Sequence, residues 1–440
     1  MPTRSSIALW MLAALPVLPM SAAAGQSVGL SSETVARIAA LEPKVIAWRR
    51  DIHQHPELGN REVRTAKLVA DHLRGLGMEV QTGVAHTGVV GLLRGGRPGP
   101  VVLLRADMDA LPVTERAKVP FASRVRTTFG GVEVGVMHAC GHDSHVAILM
   151  GVAQVLAGMK DQLPGTVKFV FQPAEEGPPE GEEGGAKLMV KQGVLENPKV
   201  DAAFALHIDA LTEVNTITYN PGGTYASSDD YRIVVKGKQT HGGYPWNGID
   251  PIVTSAHIIT ALQTIVSRQM KLIDNPAVVT VGKIQGGVRN NIIPEQVEMV
   301  GTIRSLHPDD RKKLHDRIRA IATNVGESMG ATVDVQIGMT TAYPVTFNDE
   351  KLTAAMVPVL EAVAGPGRAR LKRPETGAED FSFIAERVPS LYIQIGGRPS
   401  NVAPGDAADH HTPDFYIDES GFGLGVRALT AMTLAYMRGR

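Results

Sequence analysis

The sequence has a single cysteine, Cys140, among its 440 residues, so no disulfide can form within the chain. Its formal net charge is only -1, which gives no electrostatic reason to expect nucleic acid or an anionic membrane as a partner. Low-complexity tracts and internal repeats are also missing from the sequence. With 43% hydrophobic and 20% charged residues, the chain is typical of a globular protein that is large enough for more than one domain. These features favour a small-molecule or peptide substrate.

An apolar run long enough to span a bilayer is lacking as well. The run from Ile7 to Leu18 is too short, and Pro16 interrupts it. Arg4 precedes this run and the small residues Ser21–Gly25 follow it, which is the pattern of a signal peptide. We therefore predict that residues 1–24 are a cleaved signal peptide and that the mature protein is secreted or periplasmic, free of the membrane. A membrane anchor is the alternative.

Helical patterns alternate with short apolar runs along most of the chain, as in an α/β domain with a largely parallel sheet. Val101–Leu104, Thr166–Phe171 and Ala202–Leu206 are predicted strands. After Pro221–Gly223 the predicted order becomes β-α-β-β-α-β, that of a ferredoxin-like unit. We therefore predict a larger α/β domain formed by residues 25–222 and 340–440, with a smaller domain, residues 223–339, inserted into it.

Residue types that bind metals follow the predicted strands. Asp107 and Asp109 come directly after Val101–Leu104, and ligands gather at the carboxyl ends of strands in open α/β sheets. The same two residues could equally be solvated loop acids.

Cys140 and His142 lie on either side of Gly141, whose backbone freedom lets a thiolate and an imidazole converge on one cation. A lone cysteine is more often a small buried apolar residue than a ligand. The neighbouring histidines, His138 and His145, favour the metal interpretation here. Those two histidines could themselves support the ligands or be merely polar surface.

Glu175 and Glu176 are adjacent carboxylates directly after a predicted strand. Such a pair suits a hydrolytic site in which one carboxylate binds metal and the other takes a proton from the attacking water. An acidic solvated loop is the alternative, and we expect it for the glutamates just downstream. The scattered histidines His207, His241 and His411 would each, taken alone, favour a structural role.

Taken together, these motifs resemble those of the metal-dependent amidohydrolase and carboxypeptidase family that contains hippurate hydrolase, N-acyl-amino-acid deacetylases and plant auxin-conjugate hydrolases. The likeness runs from about Ile46 to Tyr416 and consists of five blocks in the family's order, namely RADMDALP, MHACGHDSH, FQPAEEG, GGVRNNIIPE and GAEDF. It implies a zinc-peptidase-like α/β catalytic domain with an inserted ferredoxin-like lid or dimerisation domain.

The resemblance also implies two divalent cations per subunit, held by one set of ligands: Cys140, His142, Glu176, His207 and His411. Glu175 would be the general base, and His241 would stabilise the oxyanion, often from the other subunit of a dimer. We place Asp109 with them in the catalytic set. Asn291 and Arg304 match positions that hold the substrate's carboxylate, a role that suits the planar guanidinium of arginine.

Three departures from the family pattern bear on these assignments. The segment Gly243-Tyr244-Pro245-Trp246 stands where a second histidine is usual, and it suggests an aromatic contact and a different pocket. The loop after Glu176 is longer and more acidic than is typical, so the family pattern does not predict how the mouth of the site closes. His410 adjoins His411, so either of them could be the ligand.

The sequence therefore predicts an amidohydrolase of N-acyl amino acids, with hippurate-like or ochratoxin-like amides as candidate substrates. Tyr244 and Trp246 favour an aromatic or bulky acyl group. Zinc suits the Cys and His ligands best, although manganese, cobalt or nickel could serve. If His241 acts across subunits, the protein is a homodimer or larger homo-oligomer.

Three alternatives to this function remain open. The first is a metal-dependent carboxypeptidase or dipeptidase that acts on small peptides. The second is a cysteine hydrolase that uses Cys140 with His142. The third is a non-catalytic binding protein that has kept the fold.

Overall fold

The structure is a computed structural model that describes residues 29–439. The predicted signal peptide, residues 1–24, lies outside the described residues. No helix within residues 29–439 has the length and apolar character needed to cross a membrane.

The described residues form a mixture of helices and strands. The helices are α1 (Ser32–Gln54), α2 (Val63–Gly75), α3 (His142–Ala157), α4 (Gly185–Lys191), α5 (Pro251–Gln269), α6 (Pro308–Ser328), α7 (Glu350–Ala364), α8 (Ser382–Ala385) and α9 (Phe422–Arg438). The strands are β1 (Glu79–Val84), β2 (Gly88–Arg94), β3 (Arg97–Asp107), β4 (Arg126–Phe129), β5 (Val132–Gly135), β6 (Pro164–Gln172), β7 (Ala202–Glu213), β8 (Ile217–Tyr219), β9 (Gly222–Tyr225), β10 (Ser228–Lys236), β11 (Thr240–His241), β12 (Ala277–Gly286), β13 (Ile292–Ile293), β14 (Gln296–Ser305), β15 (Thr332–Tyr343), β16 (Thr346–Asn348), β17 (Ala369–Leu371) and β18 (Ser390–Arg398).

The larger sheet has eight strands in the order β1-β2-β6-β3-β7-β18-β8-β17. Its central strands β6, β3, β7 and β18 run parallel, and helices cover both faces. Alternate residues of β3 therefore enter different cores, because successive side chains of a strand point to opposite faces. Val102 and Leu104 pack in the core that includes α1, α3 and α9, whereas Leu103 packs with α4 and α8.

The register of this sheet brings the predicted motifs to one edge. Asp107 pairs with Gln172 at the carboxyl ends of β3 and β6, and His207 on β7 pairs with Gln394 on β18. The carboxyl ends of parallel strands form the crevice where open α/β sheets bind ligands. The segments that follow β3 and β6 therefore start beside each other.

A second, antiparallel sheet of four strands has the order β12-β14-β10-β15. Helices α5 and α6 pack against it around a separate core that includes Tyr231, Ile258 and Leu314. Along the chain, the order β10-α5-β12-β14-α6-β15 is the predicted ferredoxin-like order, with the short strands β11 and β13 added as a two-stranded ribbon. The α/β fold class is thus confirmed, while the exact domain boundaries at residues 222/223 and 339/340 stay a prediction.

Candidate active site

A sharp turn at Gly141 starts helix α3 and presents its two neighbours to the carboxyl edge of the large sheet. Gly141 has a φ of 93°, a left-handed conformation that suits glycine. A Cβ atom at this position would lie 2.3 Å from Cγ2 of Ile208. Any larger residue would therefore displace Cys140 and His142 relative to strand β7.

Cys140 and His207 face each other at the distance expected for two ligands of one ion. The Sγ atom of Cys140 is 3.3 Å from Nε2 of His207. In a tetrahedral zinc site, bonds of ~2.3 Å to sulfur and ~2.0 Å to nitrogen place such atoms about 3.5 Å apart. Nδ1 of His207 donates to the carbonyl of Ile208 at 2.5 Å, which leaves the lone pair on Nε2 directed at the thiol.

His142 is oriented in the same way from the other side. Its Nδ1 donates to the backbone carbonyl of Asp109 at 2.9 Å. Its Nε2 is buried and has no hydrogen-bond partner, although carboxylate oxygens of Asp107, Glu175 and Glu176 lie 3.9 to 4.0 Å away. A buried ring nitrogen among carboxylates is a position that a proton or a bound cation would satisfy.

The two adjacent histidines near the C-terminus, His410 and His411, have different partners. Nε2 of His411 lies 3.0 Å from Oε1 of Glu176. With Cys140, these two residues form a group whose potential ligand atoms all lie within 4.8 Å of one another. His410 already uses both ring nitrogens, since Nδ1 donates to the carbonyl of Cys140 and Nε2 accepts from the amide of Ala210, each at 3.1 Å. This geometry favours His411 as the ligand.

Asp109 fixes the backbone of the glutamate pair. Its two carboxylate oxygens accept hydrogen bonds from the amides of Glu175 and Glu176, at 3.0 and 2.9 Å. Glu175 is itself buried beside Glu379 and Asp380. Burial, together with the charges of Glu379 and Glu176, raises the pKa of Glu175 well above its ordinary value.

Sequence reasoning missed the buried charges behind the site. Arg105 donates to Asp107, Glu379 and Asp380 at 2.6 to 2.9 Å, and its side chain is fully enclosed. Nε2 of His145 accepts a hydrogen bond from the backbone amide of Ile208, so Nδ1 of His145 donates to Asp107, at 2.5 Å. The blocks RADMDALP and GAEDF contained Arg105, Glu379 and Asp380, but only the fold shows that they meet.

The carboxylates of the cluster stabilise positive charge at its centre. Burial lowers the pKa of His142, but the carboxylates of Asp107 and Asp109 outweigh burial and raise that pKa to about 10. Burial, together with the charges of Glu176 and Glu175, raises the pKa of the Cys140 thiol well above its ordinary value. A thiol held in its protonated form is a poor nucleophile, which argues against the cysteine hydrolase.

The donor set fits two divalent cations. Among the described residues, five groups of potential ligands have their ligand atoms within 4.8 Å of one another. Three of them consist of the predicted ligands and base, namely Cys140–His142–His207, Cys140–Glu176–His411 and His142–Glu175–Glu176; the other two are Asp107–His142–His145 and Glu175–Glu379–Asp380. Thiolate, imidazole and carboxylate are the ligand types of zinc, and imidazole and carboxylate also bind other transition metals. The unpartnered buried Nε2 of His142 points to the same requirement.

The residues predicted on the smaller sheet lie apart from this cluster. His241 on β11 and Asn291 before β13 are exposed, and His241 Nδ1 accepts the amide of Gly243 at 2.9 Å. Tyr244 and Trp246 are 54% and 74% exposed. Within residues 29–439, none of the ligand groups above includes any of these four residues.

The comparisons with known proteins agree with this geometry. A model of Peptidase family M20/M25/M40 matches residues 103–435. Thermostable carboxypeptidase 2 of Saccharolobus solfataricus is 40% identical over 90% of this chain and 96% of its own length. N-acetylcysteine deacetylase of Bacillus subtilis is 36% identical over 86% of this chain and 93% of its own length.

Among solved structures, a Bacillus subtilis protein described as a dinuclear metal-binding peptidase of the M20 family superposes with a TM-score of 0.73. It is 31% identical, and the superposition covers 91% of this chain and 99% of that protein. The dinuclear description of this neighbour and the ligand groups found here both support two divalent ions.

Proposed function

Since the chain belongs to Peptidase family M20/M25/M40 and is a metal-dependent hydrolase of amide or peptide bonds, we propose that its substrates are N-acyl amino acids. The observation that carries this proposal is the convergence of Cys140, His142 and His207 beside a spare buried carboxylate, Glu175. The similarity to a deacetylase of N-acetylcysteine supports an acyl amino acid as the substrate. Hippurate-like and ochratoxin-like amides, with an aromatic acyl group, belong to the same proposal.

We assign the ligands as Cys140, His142, Glu176, His207 and His411, with zinc as the first choice of metal. Cations bound there would polarise the scissile carbonyl and lower the pKa of the attacking water. Glu175 is not among these five ligands, so its carboxyl group is left for proton transfer.

Glu175 is the proposed general base. One of its oxygens accepts the proton of the attacking water, and the raised pKa of Glu175 suits a group that must hold this proton. Glu175 then donates the proton to the leaving nitrogen. Asp109 acts through Glu175 as a positioning residue, because it anchors the backbone amides of Glu175 and Glu176.

His241, Asn291 and Arg304 are proposed to bind the substrate from the smaller sheet. His241 would stabilise the developing oxyanion, and the other two would hold the carboxylate of the amino acid. Since His241 and Asn291 are exposed in the single chain, we propose that they act on the site of a second subunit in a homodimer or larger oligomer. Export to the periplasm or outside the cell also stays a proposal.

Hydrolysis of a panel of N-acyl amino acids by the metal-loaded protein tests the proposed function. The panel combines acetyl and benzoyl groups with glycine, phenylalanine and glutamate, and release of the free amino acid is measured. We expect turnover of at least one member of the panel. Turnover of short peptides with a free N-terminus, together with inertness toward all N-acyl amino acids, would contradict the proposal.

Short peptides are the second candidate substrate class. The similarity to a carboxypeptidase supports them, since it extends over 90% of this chain. Such a substrate has the same amide bond and terminal carboxylate as an N-acyl amino acid, but it carries a positively charged amine on the acyl side. The ratio of kcat/KM for acetyl-phenylalanine and glycyl-phenylalanine decides between the two classes.

A further inference from the structure

A cavity of ≈ 690 Å³ lies beside the proposed ligand Glu176. On one side it is bounded by the loop that follows Glu176, and on the other by the end of strand β15, which leaves the smaller sheet. Its walls include Asp380 as well as Glu176, so it is continuous with the site.

Away from Glu176 and Asp380, one part of the wall is apolar and is formed by Pro178, Met339, Tyr343 and Phe383. Charged side chains line another part, namely Glu180, Glu182, Glu183, Lys187 and Lys191. The rings of Tyr343 and Phe383 meet edge to face with centroids 5.9 Å apart, and the Tyr343 hydroxyl donates to the carbonyl of Glu175 at 3.3 Å. An apolar wall is thus attached directly to the backbone of the proposed base.

The loop that forms one wall is held in place. Glu182 accepts hydrogen bonds from Arg61 at 2.6 Å and from Asn60 at 3.0 Å. Gly185 has a φ of 65°, and a Cβ atom there would lie 2.3 Å from Oδ2 of Asp380. The acidic loop therefore has a defined conformation, which makes it a fixed wall.

A positive charge stands at the rim of the cavity. Ser228 lines the cavity, and its hydroxyl accepts a hydrogen bond from Nη1 of Arg304 at 2.5 Å. A substrate carboxylate held by Arg304 and an amide bond held beside Glu175 would place one amino acid between these two points. Its side chain would then lie in the cavity.

We propose that this cavity is the pocket for the side chain of the leaving amino acid, and that it selects large apolar side chains. The proposal rests on the proposed function, because it requires an N-acyl amino acid or peptide in the site. Pro178, Met339 and Phe383 supply the apolar contact area. Besides the proposed ligand Glu176, the lining has four carboxylates, Glu180, Glu182, Glu183 and Asp380, and two lysines, Lys187 and Lys191, and this excess of negative charge disfavours acidic side chains.

Steady-state kinetics on two substrate series test the pocket. One series keeps the acetyl group and varies the amino acid among glycine, phenylalanine and glutamate; the other keeps glycine and varies the acyl group between acetyl and benzoyl. The variant Met339→Trp narrows the cavity at a residue that is 43% exposed and hence tolerant of substitution. Met329→Trp is the matched control, since Met329 is 36% exposed and does not line the cavity.

We expect the unaltered protein to prefer acetyl-phenylalanine over both acetyl-glycine and acetyl-glutamate by about tenfold or more in kcat/KM. Met339→Trp should lower the preference for phenylalanine over glycine by about tenfold and leave the benzoyl-to-acetyl ratio unchanged. Met329→Trp should change neither ratio.

An altered benzoyl-to-acetyl ratio in Met339→Trp would assign the cavity to the acyl group and overturn the proposal. Unchanged ratios in both series would overturn it too. In either case the proposed function would stand, because the unaltered protein still turns over the substrates. Absence of turnover by the unaltered protein in both series would instead refute the proposed function and this pocket with it.

Discussion

At the residue scale, the site consists of ligand atoms whose orientation is set by backbone partners. The Nδ1 atoms of His142 and His207 each donate to a backbone carbonyl, so both Nε2 atoms point into the cluster. Residue spacing alone could predict Cys140 and His142 as a pair, since one glycine separates them. It could not predict the partner of His142, because the carbonyl of Asp109 comes from a segment 33 residues away, whereas the carbonyl that orients His207 belongs to the next residue, Ile208.

Glu175→Gln tests the base. The variant keeps the size and polarity of the side chain but cannot accept the proton, so we expect the same metal content and a loss of kcat of ~100 to 10,000-fold. Metal content is measured by elemental analysis alongside kcat. Glu33→Gln, on the exposed face of α1, is the control and should retain full activity. A Glu175→Gln protein with unreduced kcat would eliminate Glu175 as the base.

His411→Ala and His410→Ala together decide which adjacent histidine is a ligand. We expect His411→Ala to lose about half of the bound metal, because one of two sites would lack a ligand. His410→Ala should keep its metal and unfold at a lower temperature, because it loses bonds to the backbone of Cys140 and Ala210. The reverse pattern of metal loss would assign the ligand to His410.

At the scale of elements, the carboxyl edge of the large sheet is built on buried charge. Sequence patterns predicted strands β3, β6 and β7 because apolar runs of four to six residues stand out between Gly and Pro, and the sheet confirms them. They did not predict that β3 would bury Arg105, since a charged residue in a strand is usually solvated. The hairpin β4–β5 was also missed, because its mostly exposed residues carry no apolar periodicity.

Arg105→Met tests this buried network. The substitution leaves Asp107, Glu379 and Asp380 without their shared cation, so we expect a loss of ~3–5 kcal/mol in the free energy of unfolding. Denaturant unfolding measures the change. Arg94→Met is the control: Arg94 lies on β2 and forms an exposed ion pair with Glu79, so its loss should change the free energy of unfolding little. Equal stability of the two variants would contradict the structural role of Arg105.

At the scale of the whole molecule, the two sheets divide the proposed roles. Every proposed metal ligand lies on β7, on α3 or in the segments at the carboxyl edge of the large sheet, whereas His241 lies on the separate β11–β13 ribbon and Asn291 directly precedes β13. The ferredoxin-like order was readable from the sequence because its strands and helices follow one another locally. Whether the ribbon reaches the site of a second subunit depends on assembly, which local patterns do not encode.

Complementation between two inactive variants tests action across subunits. His241→Ala and Glu175→Gln should each be nearly inactive alone. If His241 serves the partner's site, randomly mixed dimers contain one intact site in half of the assemblies, so about a quarter of the original activity should return. The mixed oligomers are verified by native mass spectrometry. Verified mixing without recovered activity would show that His241 does not act in trans.

The account as a whole depends on a cation-binding cluster formed by Cys140, His142, Glu176, His207 and His411. Elemental analysis of the purified protein, combined with activity before and after chelation, tests it most directly. We predict two divalent ions per chain, loss of activity on their removal, and recovery on addition of zinc or another transition metal. A protein that is fully active without bound metal would contradict the account.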